Sequence, residues 1–254
     1  FGKIGCNGRF FVFLDKNNYF FKKTLFYFFV GYFILWKSLS KQYTLDELES
    51  LSDFVEQELR LSSPIELAWL DVIEIRDLGL NTNGDWYGQY DGQTFKAIIR
   101  LNSLVLGTIE QLKLTLAHEY GHHWTLSYLA VHHNLRIYKE RLPRTYYKIR
   151  GLSEEHCVYT PGQIKASYED WMRCDKEIIA EDYRVLFSPH PHNQDHRMVG
   201  NLPLIRLSTH PSIGEQALNI WRLIQNLFYT VFNLGISHPD DRVEEYIRNL
   251  PTTP

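Results

Sequence analysis

The sequence has few cysteines and no marked excess of charge of one sign. Its 254 residues include three cysteines, Cys6, Cys157 and Cys174, and no CxxC pair. So few, scattered cysteines argue against a disulfide scaffold and against a zinc knuckle. The formal net charge of −3 gives no electrostatic reason to expect binding to nucleic acid or to an anionic membrane. Glycine-rich phosphate loops and GxSxG motifs are absent too, so kinase and lipase functions lack support.

Residues 1–40 form an aromatic-rich N-terminal segment. Residues 1–36 hold 14 of the 37 aromatic residues, and residues 24–36 are a largely apolar run of 13. That run is shorter than the roughly 20 residues of a membrane-spanning helix, although it suits the hydrophobic region of a signal peptide. Three interpretations stay open: an anchor or signal remnant, a stretch packed on the domain, or translated sequence upstream of the true start. We expect membrane association only through this run, and a cytoplasmic protein if the segment is not native.

Residues 41–254 are expected to form a single domain of the α+β class. Apolar residues make up 44% of the chain and charged residues 22%, which is ordinary globular usage. The predicted architecture is a small, mostly antiparallel sheet followed by helices that dominate the C-terminal half. Hydrophobic periodicity, capping boxes and the Asp91-Gly92 turn predict strands at 67–76, 86–90 and 94–101, and helices at 44–59, from 108 to about 124 or beyond, at 168–187, at 213–232 in the core and after 239. The oligomeric state stays open.

The motif that carries chemistry is His118-Glu119-Tyr120-Gly121-His122, an HExxH pattern inside a predicted helix. Residues at i and i+4 share one helix face, so both imidazoles can reach one ion, and Zn²⁺ accepts such nitrogen donors. Glu119 lies about 100° around the same helix and can accept a proton from a water at the open coordination position. Chance alone would place this pattern in about 3% of chains of this composition, and less often on a capped amphipathic helix.

A hydrolytic zinc site needs a third protein ligand. The HExxHxxGxxH extension is missing, because Thr125 stands at the glycine position and Tyr128 at the third histidine. Glu177 and Glu181 share a face of a later, otherwise apolar helix, and burying them without a partner would be costly. One could bind the ion while the other hydrogen-bonds a ligand histidine, with Glu177 favoured as the ligand. A solvated acidic face is the alternative.

These residues resemble the zincin metallopeptidases of the gluzincin type, in which an HExxH helix precedes a helix with an ExxxD motif. Glu181 replaces the usual aspartate. The resemblance implies that His118, His122 and Glu177 bind Zn²⁺ and that Glu119 is the catalytic general base for hydrolysis of a peptide or protein substrate. It also implies that an edge strand lines the substrate cleft, and residues 94–101 are the predicted strand for peptide pairing.

Other roles stay open at this stage. The resemblance implies a transition-state donor, for which Tyr168, Tyr183 and the histidines of residues 190–196 are candidates. His123 faces away from the other two histidines of the motif and is expected to pack or to support them. Two alternatives to a peptidase remain: a non-catalytic or rarely cleaving sensor or binding module on a zincin fold, and a structural zinc site closed by the 190–196 loop.

Overall fold

The computed structural model describes residues 2–4, 10–13, 35–38, 43–159, 168–194, 196, 198, 212–214, 216, 217, 220, 221, 223, 224 and 238–252. The strands are β1 (Gly2–Ile4), β2 (Phe10–Phe13), β3 (Leu35–Ser38), β4 (Leu70–Arg76), β5 (Gly84–Tyr90) and β6 (Phe95–Asn102). The helices are α1 (Leu45–Asp53, continued by a π-helical stretch Phe54–Glu58), α2 (Pro64–Leu67), α3 (Ile109–His133), α4 (Arg144–Arg150), α5 (Tyr168–Trp171), α6 (Asp175–Phe187) and α7 (Asp241–Asn249).

The α+β class is confirmed, but the expectation of a mostly antiparallel sheet is wrong. The strands are ordered β1-β2-β3-β4-β6-β5, and the sheet is mixed. The β5–β6 hairpin is antiparallel as predicted, and so is β1–β2. In contrast, β2–β3, β3–β4 and β4–β6 pair in parallel. A hairpin leaves a local turn signal, whereas parallel neighbours are joined through longer connections that leave none.

The sheet order also corrects the predicted peptide-binding strand. Residues 94–101 correspond to β6, which pairs with β4 on one side and β5 on the other. Its main-chain groups are therefore already used on both sides. The strand at the end of the sheet is β5, so any added peptide strand on this side of the sheet would pair with β5.

Helix α3 packs across the sheet and forms the centre of the core. It begins at the capping box of Thr108, and Asn134 ends it in the left-handed conformation. Leu112 and Leu116 on this helix are fully buried, as are Ile73 and Ile99 on β4 and β6. The 25-residue helix thus places the HExxH motif against the sheet.

Three predicted elements differ from the observed ones. The strand expected from residue 67 begins at Leu70, because a capping box at Ser63 starts the short helix α2. The helix expected over 168–187 is interrupted at residues 172–174, where Cys174 pairs with Val158 in an isolated bridge. The expected helix at 213–232 is helical at its described residues between 213 and 224, but its expected place in the core is wrong there, since Ile213 is 87% exposed and Trp221 57%. An apolar pattern predicts a face suited to burial but does not supply the layer that covers it.

The predicted terminal helix is confirmed as α7, with Val243 and Ile247 buried. Most of the apolar run at 24–36 lies outside the described residues. In the part of the chain that the structure describes, no helix is both long enough and apolar enough to span a bilayer.

Close contact between α3 and α6 depends on Gly121. A Cβ atom at this position would overlap the carbonyl oxygen of Ala180 on α6 and lie 3.1 Å from its carbonyl carbon. Because both obstacles are backbone atoms, no side-chain rotation could relieve the contact. Ala180 stands between Glu177 and Glu181 in the sequence, so the glycine lets both carboxylates approach the HExxH face.

We therefore expect Gly121→Ala to lower the free energy of unfolding by about 1–3 kcal/mol, the usual cost of overpacking. Gly107→Ala is the control, because its added Cβ would have Gln111 as its nearest neighbour, at an ordinary 3.8 Å. Urea denaturation of both variants after metal removal measures the effect without a contribution from metal binding. Equal stability of the two variants would show that α3 and α6 do not need this glycine.

Candidate metal centre

The two histidines of the motif lie one turn apart on α3 and face the same point. Their rings are nearly perpendicular, with centroids 4.9 Å apart. His118 is 4% exposed and His122 is 6% exposed. The Nε2 atoms of both rings lie close to one oxygen of Glu177 on α6, at 3.0 Å from His118 and 3.1 Å from His122. One potential ligand atom from each of the three side chains falls within 4.8 Å of the other two.

The second acid of α6 fixes the orientation of His118. Glu181 accepts a hydrogen bond from Nδ1 of His118 at 2.9 Å. A histidine whose Nδ1 carries the proton has a lone pair on Nε2, and here that lone pair faces an oxygen of Glu177. Two electron-rich atoms in this arrangement require a positive charge between or near them. A metal ion or an added proton could supply it.

The pKa shifts of His118 and Glu177 indicate the same preference. Burial alone would lower the pKa of His118, but the hydrogen bonds and charges of Glu177 and Glu181 outweigh it and raise the pKa. Burial would likewise raise the pKa of Glu177, but the adjacent His122 and His118 outweigh it and hold the pKa well below its usual range. The site thus favours an anionic carboxylate beside positive charge.

Glu181 is held in turn by Arg184, one turn later on α6. The Nε and Nη2 atoms of Arg184 donate to the two oxygens of Glu181 at 3.0 and 2.8 Å. Both side chains are buried, and Arg184 also donates to the main-chain carbonyls of His192 and Gln194. A bidentate pair of this kind fixes the carboxylate plane as well as its position. Glu181 is therefore a fixed support for His118 rather than part of a solvated acidic face.

His123 and Trp86 stabilise the other side of the motif. Nε2 of His123 donates to the main-chain carbonyl of Glu66 at 2.8 Å, and Trp86 on β5 donates through Nε1 to Nδ1 of His123 at 3.3 Å. Burial lowers the pKa of His123 to about 4, so the ring is neutral and can accept that bond. The Trp86 ring also stacks on His122, with centroids 6.1 Å apart and planes at 16°. The predicted supporting role of His123 thus has a geometric basis.

Glu119 lies between α3 and the strand β5. The side chain is 6% exposed, and a Cβ atom at Gly84 of β5 would come within 3.2 Å of its Cγ atom. Because Gly84 has no side chain, there is room for the side chain of Glu119 beside β5. Its sequence position next to His118 keeps it within a turn of both histidines.

The structure gives no support to the other candidate residues, those for a transition-state donor or a fourth metal ligand, in the part of the chain that it describes. Tyr183 is fully buried between α3 and α6, with ring contacts to Tyr120 and Phe187, so a substrate cannot reach it. The side chain of Tyr168 lies outside the described residues. In the 190–196 loop, Nε2 of His192 lies 2.9 Å from Glu110 and Nε2 of His196 lies 2.8 Å from Asp182, and neither belongs to the three-residue cluster. The described residues therefore give no support to a fourth ligand from this loop.

Sequence reasoning missed two supporting residues, Trp86 and Glu66. Glu66 is a buried acid of α2 that accepts hydrogen bonds from the hydroxyls of Tyr120 at 2.9 Å and Tyr128 at 3.1 Å. Burial raises its pKa, although its hydrogen bonds partly offset that effect. The Ser63-x-x-Glu66 capping box was a readable signal for the helix. No sequence pattern indicates that Trp86 stacks on His122, since that contact depends on how the sheet meets α3.

No family model and no curated protein matches this chain. A comparison with solved structures finds a protein from Bacteroides caccae that is provisionally described as a zinc-binding metallopeptidase. The alignment covers 86% of this chain and 87% of that chain, at 10% identity and a TM-score of 0.34. A similarity this low carries no argument about fold or function.

Proposed function

We propose that this protein is a zinc-dependent metallopeptidase that hydrolyses peptide bonds. The observation that supports it is the convergence of two imidazole nitrogens and one carboxylate oxygen at 3.0 and 3.1 Å, with Glu119 next to His118 on the same helix. Ligand atoms at about 2.0–2.1 Å from a tetrahedral zinc ion are separated by about 3.3 Å. The separations of the Glu177 oxygen from His118 and from His122 are thus close to those that zinc requires.

The donor set favours zinc over magnesium and calcium. Magnesium and calcium prefer cages of oxygen atoms, whereas this site offers two nitrogen donors. The hydrogen bond from His118 to Glu181 is the type of support that fixes the tautomer of a metal-binding histidine. Three protein ligands would leave one coordination position for a water or a substrate carbonyl, and bound zinc would supply a water acidified to a pKa of about 7 and a polarised carbonyl.

In this proposal the protein's own residues move the protons and hold the substrate. Glu119 takes the proton of the attacking water and delivers it to the leaving amine. Glu181 keeps His118 in one tautomer, and Arg184 keeps Glu181 in place. Gly84 of β5 lies against Glu119, and the outer edge of this strand holds the substrate in extended form by main-chain hydrogen bonds.

The proposal is tested by removing and restoring the metal. The purified protein is incubated with a mixed-sequence peptide library, and new amino termini are counted by mass spectrometry. We expect cleavage to stop after treatment with 1,10-phenanthroline and to return on addition of one equivalent of Zn²⁺ but not of Mg²⁺. A protein that binds one zinc ion and cleaves no peptide would contradict the proposal and favour the sensor or binding module.

A further inference from the structure

The outer edge of β5 presents main-chain groups along the candidate site. Asn83 and Asn102 lie opposite each other just before β5 and at the end of β6, and the Asn102 amide donates a hydrogen bond to the Asn83 carbonyl. This bond identifies the opposite pairs of the hairpin that exchange hydrogen bonds. Because such pairs alternate along an antiparallel ladder, the odd-numbered residues of β5 are bonded to β6. The amides and carbonyls of Gly84, Trp86 and Gly88 therefore point outward, away from the sheet.

These three outward positions have different neighbours. Gly84 lies against Glu119, and the ring of Trp86 lies against His122. The amide of Gly88 already donates a hydrogen bond, at 3.2 Å, to a side chain from the segment that follows α3. The edge of β5 is thus next to the candidate site at Gly84 and Trp86, whereas the outward amide of Gly88 already has a hydrogen-bond partner.

The side chain that engages Gly88 is Tyr138. Its hydroxyl oxygen accepts a hydrogen bond from the Gly88 amide, and its ring stacks on Tyr87 with centroids 5.8 Å apart and planes at 13°. Tyr138 therefore occupies both the hydrogen-bonding position and the space beside the strand. It is 39% exposed, so a ligand arriving along the edge would meet it directly.

We infer that Tyr138 ends the peptide-binding edge of β5 and limits how far a peptide can extend past Trp86. Successive outward positions on a strand are two residues, or about 7 Å, apart. A bound peptide can therefore pair at Gly84 and Trp86 but must stop or turn away before Gly88. The substrates would then be peptides that extend only about two residues beyond the site in the direction from Trp86 to Gly88. This inference rests on the proposed function, which supplies the peptide substrate and its pairing with the edge of β5.

The length limit is tested by binding, so that it does not depend on cleavage. Glu119→Gln protein is prepared with Tyr138 intact, with Tyr138→Phe and with Tyr138→Ala. The probes are fluorescent mixed-sequence peptides of four, six, eight and ten residues with blocked ends, and the zinc-loaded proteins are titrated by anisotropy. Tyr87→Phe is the matched control, because its hydroxyl contacts Gln89 rather than the edge amide of Gly88.

With Tyr138 intact, we expect Kd to stop improving beyond about six residues. Tyr138→Ala should improve the Kd of the eight- and ten-residue peptides about tenfold by freeing another strand position, and should leave the four-residue peptides within twofold. Tyr138→Phe, which keeps the ring, should give a smaller gain, and Tyr87→Phe should give none.

The same length dependence in all proteins would overturn the inference, and so would an absence of peptide binding throughout. The parent enzyme with Glu119 intact is assayed for cleavage in parallel. Cleavage without the length effect would reject the role of Tyr138 and keep the peptidase. The length effect without cleavage would keep the role of Tyr138 and reject the peptidase.

Discussion

Replacing Glu119 by glutamine is expected to lower kcat by about 10²–10⁴-fold, the usual contribution of a general base, without loss of the bound metal. The amide has nearly the shape of the carboxylate but cannot take a proton from water. It leaves His118, His122 and Glu177 unchanged, so metal binding should persist. The measurements are peptide turnover and the metal content of the same preparation.

Glu245→Gln provides the matched control, because Glu245 is exposed on α7 and should not affect either measurement. Turnover by Glu119→Gln within threefold of the unaltered protein would reject Glu119 as the base. Loss of both turnover and metal would mean that Glu119 has a structural role at the site instead.

The two acids of α6 are expected to differ sharply when each is changed to glutamine. Glu177 shares its oxygen with both histidines, so Glu177→Gln should abolish stoichiometric metal binding after dialysis. Glu181 contacts Nδ1 of His118 and is bonded to Arg184. Removing such a supporting group usually costs about 10–100-fold in metal affinity, so Glu181→Gln should keep a weakened site.

Competition against a fluorescent zinc chelator measures both affinities, and circular dichroism establishes that both variants fold. The comparison is matched, because each variant loses one negative charge on the same helix and on the same face. If Glu181→Gln lost the metal and Glu177→Gln kept it, the two roles would be exchanged.

The local parts of the site could be predicted from the sequence. The HExxH helix has its own capping box at Thr108 and an apolar stripe, and the i, i+4 spacing alone places His118 and His122 on one face. The turn at Asp91-Gly92 likewise predicted the β5–β6 hairpin. In each case the signal lies within a few residues of the element that it determines.

The parts that depend on contacts between distant segments could not be predicted. The spacing in the sequence put Glu177 and Glu181 on one helix face. It could not show that Glu177 lies at Nε2 of His118 and Glu181 at Nδ1, because both contacts depend on the close approach of α6 to α3 at Gly121. The parallel pairing of β6 with β4 leaves β5 as the edge strand, and no local pattern shows it. The contact between Tyr138 and Gly88 spans 50 residues and follows only from the path of the chain after α3.

The most direct test of the metal centre is a count of metal atoms per chain by elemental analysis of the purified protein after extensive dialysis. The arrangement of His118, His122 and Glu177 predicts one zinc ion per chain, and less than a tenth of that in a variant with both histidines changed to alanine. A metal-free protein that does not take up added Zn²⁺, or a double variant that retains a full equivalent, would contradict it.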